Sequence, residues 1–162
     1  MKVNRNLFKN KDYFIEDDLD FSSEVFNPNH IRKIGKTHVK ITGNDYDDFL
    51  VLDFDIKSEV IGVCSYSLED VPLNIKTNAS LSFTYDEEDE ETIHIDKPIF
   101  DVDEYIIDLI VSEVPMKIVK KGAKLPTNGN GYRVLSEDEY NKEQEEKVDP
   151  RWAALDDINL VD

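Results

Sequence analysis

The stretch that decides the fold is residues 73–85, which read LNIKTNASLSFTY. Every second side chain is apolar or small, and the positions between them are polar. The first set comprises Leu73, Ile75, Thr77, Ala79, Leu81, Phe83 and Tyr85. A period of two held over thirteen residues predicts a long strand with one buried and one wet face. It also favours antiparallel pairing, because parallel sheets are usually covered on both faces.

Upstream of this strand, the same alternation continues. Residues 37–42 alternate and end at the turn signal Gly43-Asn44-Asp45. We predict two further strands, over residues 49–57 and 60–64. Residues 1–36 read as a lead-in segment, in which Pro28 could open a short helix through Ile31 and Ile34.

Downstream, the pattern changes from strand to loop and helix. Residues 86–91 are six consecutive acids, which predict a solvated loop at the tip of a hairpin. Apolar residues at helical spacing predict a helix over 101–114, with Asp101 and Glu104 at the spacing of a capping box. Pro115 ends this helix.

The C-terminal part is poorer in residues that a core could bury. Residues 117–147 read as a loop followed by an exposed polar stretch, whose start is capped by Ser136. Asp149 and Pro150 then form a strong helix start. We expect residues 149–158 to dock on the domain through Trp152 and Leu155.

Length and composition place these elements in one α+β domain over residues 1–162. The chain has 162 residues, of which 40% are hydrophobic, a globular composition that needs no disulfide. We expect a mostly antiparallel, twisted sheet or partly open barrel, built from residues 37–97, with a few short helices. The first residues lack the apolar run of a secretory signal, and no stretch approaches the ~20 apolar residues of a membrane helix. These features predict a cytoplasmic protein that does not contact membranes.

The charge is strongly negative and unevenly distributed. The net charge is −17, which disfavours a broadly basic nucleic-acid binder, since phosphates repel such a surface. Residues 1–41 hold eight Lys or Arg and six Asp or Glu, a net of +2, whereas residues 42–162 hold eleven against thirty, a net of −19. The acidic part could hold a basic partner, or it could only keep the protein soluble.

One short segment reverses the sign of the charge. Four lysines fall within eight residues that contain no acid: Lys117, Lys120, Lys121 and Lys124. This cluster is a candidate contact for a partner or for RNA phosphates. The alternative is a solubilising loop that neutralises nearby acids.

The remaining chemistry-bearing residues give weak signals. The histidines His30, His38 and His94 lie in separate segments, without the spacing of metal ligands. Asp53 and Asp55 share one strand face and could aim at a divalent cation, but a solvent-facing edge of a sheet is the favoured explanation. The single cysteine, Cys64, excludes an internal disulfide and reads as a buried packing residue. We therefore expect no catalytic residues, no cofactor and no resident metal.

Three segments together resemble the YceD family of large ribosomal RNA subunit accumulation proteins. They are residues 63–71 around Cys64, residues 100–117 with Phe-Asp-Val-Asp leading into Val-Pro-Met-Lys, and residues 149–155, which read DPRWAAL. The family usually shows Cys-x-x-Cys-Leu in the first segment, whereas Ser67 stands here in place of the second cysteine. The cysteine cluster that many relatives carry before the last segment is also absent. The motif residues expected to be structural are Cys64, Asp149, Pro150, Arg151, Trp152 and Leu155.

The resemblance implies a bacterial factor needed for large-subunit ribosomal RNA to accumulate or be processed. It implies no catalytic residues. The expected partner is a basic ribosomal protein or the large-subunit precursor particle, with the basic cluster as a candidate contact to ribosomal RNA. Two alternatives stay open, an RNA-processing enzyme with carboxylate-held magnesium and an acidic protein-binding adaptor unrelated to ribosomes. The sequence leaves the oligomeric state open.

Overall fold

Long strands dominate the first two thirds of the chain. A computed structural model describes residues 1–9, 13–23, 30–46, 48–85, 92–126 and 129–145. The elements, in chain order, are β1 (Lys2–Asn4), a 3₁₀ helix (Arg5–Lys9), β2 (Phe14–Asp20), β3 (Ile31–Asp45), β4 (Phe49–Val63), β5 (Asp70–Thr84), β6 (Thr92–His94), β7 (Ile99–Asp101), α1 (Asp103–Glu113) and α2 (Glu137–Glu145). The fold is therefore α+β. The chain forms two compact units, residues 1–120 and residues 121–162.

The main sheet of the first unit has the strand order β2-β3-β4-β5-β6. Strands β2 to β5 pair antiparallel, whereas β6 runs parallel to β5. Strands β1 and β7 form a separate antiparallel pair. Within the described residues the sheet is open and does not close into a barrel, so the prediction of a mostly antiparallel sheet is confirmed.

The strand boundaries differ from the predicted ones in informative ways. Residues 49–57 and 60–64 are not two strands, because β4 runs unbroken from Phe49 to Val63. The helix expected after Pro28 is wrong, since Ile31 and Ile34 begin β3 and pair with Gly62 and Val60. Cross-strand pairing of β-branched residues has overridden a local helix signal.

The lead-in segment is part of the folded structure. Residues 1–36 contribute β1, the 3₁₀ helix, β2 and the start of β3. Residues 86–91 lie outside the described residues. The strands on either side of them pair in parallel, with Ser82 opposite Thr92, so the predicted hairpin is wrong.

The alternation predicted for residues 73–85 is borne out over most of β5 but is wrong at its end, where Thr84 is buried and Tyr85 is exposed. Ile75, Thr77 and Phe83 are buried, whereas Lys76 and Asn78 are exposed. Helix α1 packs on β5 and β4 and buries Ile106 and Ile110. The ring of Phe83 lies 4.9 Å from that of Phe100 and 5.5 Å from that of Tyr105. One face of the sheet is thus the core, and the other faces solvent.

The start of α1 is built differently from the predicted capping box. The cap residue is Val102, which makes no side-chain cap. The Oδ1 of Asp101 instead accepts a hydrogen bond from the backbone N–H of Asp103 at 3.0 Å, and this bond is the main reason that the pKa of Asp101 is lowered. The helix ends at Glu113, before Pro115, as predicted.

The second unit is described through residue 145, apart from residues 127–128. Helix α2 starts at a capping box, in which the N–H of Glu139 donates to the Oγ of Ser136 at 3.2 Å and the N–H of Ser136 donates to Glu139 at 2.8 Å. The helix buries no side chain, which confirms the exposed polar stretch over residues 137–145. The predicted helix 149–158, with Asp149, Pro150, Arg151, Trp152 and Leu155, lies outside the described residues.

Candidate functional site

The connection between β4 and β5 is a six-residue loop, residues 64–69, which we name the Cys64 turn. The N–H of Cys64 donates to the carbonyl of Glu69 at 2.8 Å, and the N–H of Leu68 donates to the carbonyl of Cys64 at 2.9 Å. Leu68 has a left-handed backbone, with φ of 58°, which costs a non-glycine residue ~1–2 kcal/mol. Strain of this kind is typical of functional positions.

The segment that carries two of the predicted lysines lies against this turn. The N–H of Ser65 donates to the carbonyl of Ile118 at 2.7 Å, and the N–H of Lys120 donates to the Sγ of Cys64 at 3.3 Å. The side chain of Ile118 is buried. A Cβ added to Gly62 would lie 2.4 Å from the Cδ1 of Ile118, so glycine at this position allows the segment to approach.

Cys64 is fully buried at the centre of these contacts. Its pKa is lowered to about 7, mainly because the N–H of Lys120 donates to the sulfur, with further hydrogen bonds from Ser67 and the backbone of Tyr66. These donors favour the thiolate and outweigh its loss of hydration. The structural role predicted for Cys64 stays a prediction.

The lysines at the turn already have partners within the fold. The Nζ of Lys120 lies 3.2 Å from the Oε2 of Glu69, which also accepts a hydrogen bond from Ser67 at 3.1 Å. These two contacts lower the pKa of Glu69. The Nζ of Lys117 lies 5.6 Å from the centre of the Tyr66 ring, within the range of a cation–π contact.

The other two lysines of the basic cluster, Lys121 and Lys124, belong to the second unit. Both are exposed. The structure therefore brings two of the four predicted lysines, Lys117 and Lys120, to the turn that carries Cys64.

Sequence reasoning missed an apolar feature of the same region. Leu68, Met116 and Val119 are 70%, 92% and 44% exposed. Leu68 lies in the turn, and the other two flank the buried Ile118. Exposed apolar side chains beside a strained turn are typical of a protein-binding surface. The sequence signal for this feature is the presence of three apolar residues, Met116, Ile118 and Val119, between Pro115 and Lys120.

The other sequence-derived candidates lie elsewhere. The Oδ1 of Asp53 accepts a hydrogen bond from the Oγ of Ser80 at 2.5 Å, and Asp55 lies opposite Lys40. His38 sits between two carboxylates, 3.2 Å from Glu16 and 2.8 Å from Asp18. Over the described ranges, the structure holds no group of three or more His, Cys, Asp or Glu that could bind a metal ion.

Comparison with known proteins shows which family the chain belongs to. Residues 52–159 match the family model described as large ribosomal RNA subunit accumulation protein YceD. The chain belongs to the YceD family. The matched range takes in the Cys64 turn and the segment that contacts it, which confirms the resemblance drawn from the sequence motifs.

A curated relative is similar over most of its length. Uncharacterized protein YlbN of Bacillus subtilis (strain 168) is 29% identical over 137 residues, which cover 79% of this chain and 77% of that protein. No solved structure matches the chain. In the part of the YceD-family chain that the structure describes, no helix is long and apolar enough to cross a membrane.

Proposed function

We propose that this YceD-family protein is a non-enzymatic factor of ribosome biogenesis, which acts in the cytoplasm and supports the accumulation or processing of large-subunit ribosomal RNA. The observation that carries the proposal is the family match over residues 52–159. The family is described as an accumulation protein and not as a catalyst, which is consistent with a binding role.

The charge of the protein supports a basic partner. In addition to a net charge of −17, all four acids of β2 are exposed, namely Glu16, Asp17, Asp18 and Asp20. Complementary charge accelerates encounter with a basic protein and selects against acidic ones. We propose that this partner is a basic ribosomal protein, met free or on the large-subunit precursor particle.

The Cys64 turn supports a contact site for this partner. It combines exposed apolar side chains, Leu68 and Met116, with the cation of Lys117. An apolar centre with a charged rim is the usual composition of a protein interface. The four lysines of the basic cluster remain the proposed route by which RNA on the precursor particle would be touched.

Depletion of the protein tests the function directly. We expect precursors of large-subunit ribosomal RNA to change in amount while small-subunit RNA stays constant, as measured by gel analysis of total RNA. Unchanged large-subunit RNA on depletion would contradict the proposal and favour an adaptor unrelated to ribosomes.

Capture from cell lysate tests the partner. At low salt the tagged protein should retain a ribosomal protein, and retention should fall as salt is raised, because the attraction is electrostatic. The variant Leu68→Ser should retain less, whereas Leu7→Ser, at another exposed leucine, should retain as much as wild type. Equal retention by both variants would remove the Cys64 turn from the interface.

A further inference from the structure

Two lysines face each other on the polar side of the main sheet. Lys57 of β4 lies directly opposite Lys76 of β5, and His38 of β3 lies opposite Lys57. Like charges directly opposite each other destabilise a sheet. Within the described residues neither Lys57 nor Lys76 forms an ion pair. A cost of this kind, placed at the middle of a sheet, is consistent with a site for an anion.

The pair lies in a concave trough. A cavity of about 740 Å³ runs over β2 to β5 and is lined by both lysines and by Lys36. Its volume is within the range of ligand sites in proteins. The cavity therefore offers three ammonium groups on a rigid backbone scaffold, together with the carboxylates of Asp18, Asp20 and Glu59.

The acids of the trough are partly engaged by the fold. Asp18 contacts His38 at 2.8 Å. Asp20 accepts the N–H of Ser22 at 2.9 Å, and its pKa is lowered mainly by hydrogen bonds from Ser22, with Lys36 contributing. Glu59 and Asn74, which lie opposite each other, complete the polar lining. The trough thus presents ammonium donors beside carboxylate and amide acceptors.

We propose that this trough binds the backbone of single-stranded RNA, an inference that rests on the proposed function. Lys57 and Lys76 would take phosphate oxygens, while the carboxylates and Asn74 would accept hydrogen bonds from 2′-hydroxyl or base amino groups. An acidic peptide offers anions but lacks those repeated hydroxyl donors. In several RNA-binding folds a sheet face binds single strands through basic side chains that track the backbone and aromatic side chains that stack on the bases. The trough offers the first of these two kinds of contact, through its lysines.

The rest of the same face limits where the strand can lie. A second cavity, of about 440 Å³, continues along β4 but is lined by Asp53 and Asp55, with one lysine, Lys40. Phosphate would be repelled at that end. The proposal therefore places the RNA on Lys57 and Lys76 and excludes it from the two aspartates.

Direct titration of the full-length protein with oligouridine tests the inference. An oligouridine of about 12 nucleotides is suitable, because this length is within the span of known single-strand sites. Fluorescence anisotropy measures the association constant at several salt concentrations. A plot of the logarithm of this constant against the logarithm of salt concentration should have a slope of about −1.4, the value for two phosphate contacts. The double variant Lys57→Gln/Lys76→Gln should bind about tenfold or more weakly, and its slope should be shallower than that of wild type.

A charge-reversal pair supplies the matched control. Lys76→Glu should abolish binding. It should also raise the thermal midpoint of unfolding, because it removes a repulsive pair. A raised midpoint would show that the loss of binding does not come from misfolding. Lys97→Glu makes the same charge change at an exposed lysine in the loop between β6 and β7 and should bind as wild type. Equal loss in both variants would show a general field effect and overturn the proposal.

Further outcomes separate this inference from the proposed function. No binding of oligouridine by the wild-type protein, or equal competition by oligoglutamate, would overturn the RNA site and leave ribosomal RNA accumulation to protein contacts. Loss of binding in Lys76→Glu, together with unchanged ribosomal RNA on depletion, would support the trough and remove the proposed function.

Discussion

The two lysine-bearing regions of the first unit differ in how their charges are used. At the Cys64 turn, Lys120 is paired with Glu69 at 3.2 Å, and Lys117 lies over the ring of Tyr66. In the trough, Lys57 and Lys76 face each other, and neither ion-pairs with any described residue. The cations of the first region contact groups within the fold, whereas those of the second are the ones that we propose bind an outside anion.

This difference shows that lysines clustered in the sequence are not necessarily the lysines that the fold leaves without an ion-pair partner among the described residues. The basic cluster stands out because Lys117 and Lys120 have no acid between them. Lys57 and Lys76 are separated by eighteen residues, with acids close to Lys57 on both sides, Asp55 and Glu59. Only strand register brings them together.

The largest expected effect is at the buried side chain that holds the Cys64 turn and its neighbouring segment together. Ile118→Ala should lower the free energy of unfolding by about 3 kcal/mol, through lost burial and a cavity. It should also expose Cys64 to thiol reagents, because the segment that donates to the sulfur is released. Chemical denaturation and thiol labelling measure the two effects.

The adjacent residue provides the control for that experiment. Val119→Ala removes apolar atoms from a side chain that is 44% exposed and should change stability by no more than about 0.5 kcal/mol. If the two variants were equally destabilised, or if Cys64 stayed protected in Ile118→Ala, the segment would not be what shields the turn.

A medium effect is expected beneath the trough, where the two buried hydroxyls of Thr37 and Ser58 lie 2.7 Å apart. Ser58→Ala should cost about 1–2 kcal/mol, since it leaves a buried partner with one hydrogen bond fewer. Thr37 retains a second contact, to the carbonyl of Gly35 at 3.2 Å, which limits the loss of stability. Urea denaturation measures the change in the free energy of unfolding.

The double variant Thr37→Val/Ser58→Ala is the matched test of that pair. Removal of both hydroxyls should recover part of the loss seen in Ser58→Ala, because no polar group is then left without its partner. Strict additivity of the two single substitutions would show that the hydroxyls do not interact.

The fold was predictable wherever one segment alone carried the signal. Alternation in residues 73–85 predicted β5, and the apolar spacing with Pro115 predicted the end of α1. The merger of two strands into β4 and the parallel pairing of β6 were not predictable, because both depend on partners distant in sequence. The lead-in was misread for the same reason, since β2 is stabilised by its pairing with β3.

The candidate site also has features that the sequence predicts and features that it does not. Cys64 and the basic cluster were visible in the sequence, but the contact between the sulfur and the N–H of Lys120 was not. The pairing of Lys57 with Lys76 required the register of β4 against β5. Sequence alone thus identifies reactive and charged residues, and the sheet decides which of them meet.

A smaller effect should have opposite signs in the two lysine regions. Lys76→Glu should raise the free energy of unfolding by about 0.5 kcal/mol, because it turns a repulsive cross-strand pair into an attractive one. Lys120→Glu should lower it, since it sets two carboxylates against each other at the Cys64 turn. Thermal denaturation at low salt measures both, and the same sign in both variants would contradict the comparison between the regions.

A separate effect is the pH dependence of stability that Cys64 contributes. Its pKa in the folded protein is about 7, below the value of about 8.5 for an unperturbed thiol. Between these values the unfolded chain binds more protons than the folded one, so stability should rise with pH across this window and be lost as pH falls through 7. Denaturation at pH ~6 and ~9 should show a smaller rise for Cys64→Ser than for wild type, because the hydroxyl does not titrate in this range. Parallel pH profiles for the two proteins would mean that the hydrogen bonds from the segment do not favour the thiolate.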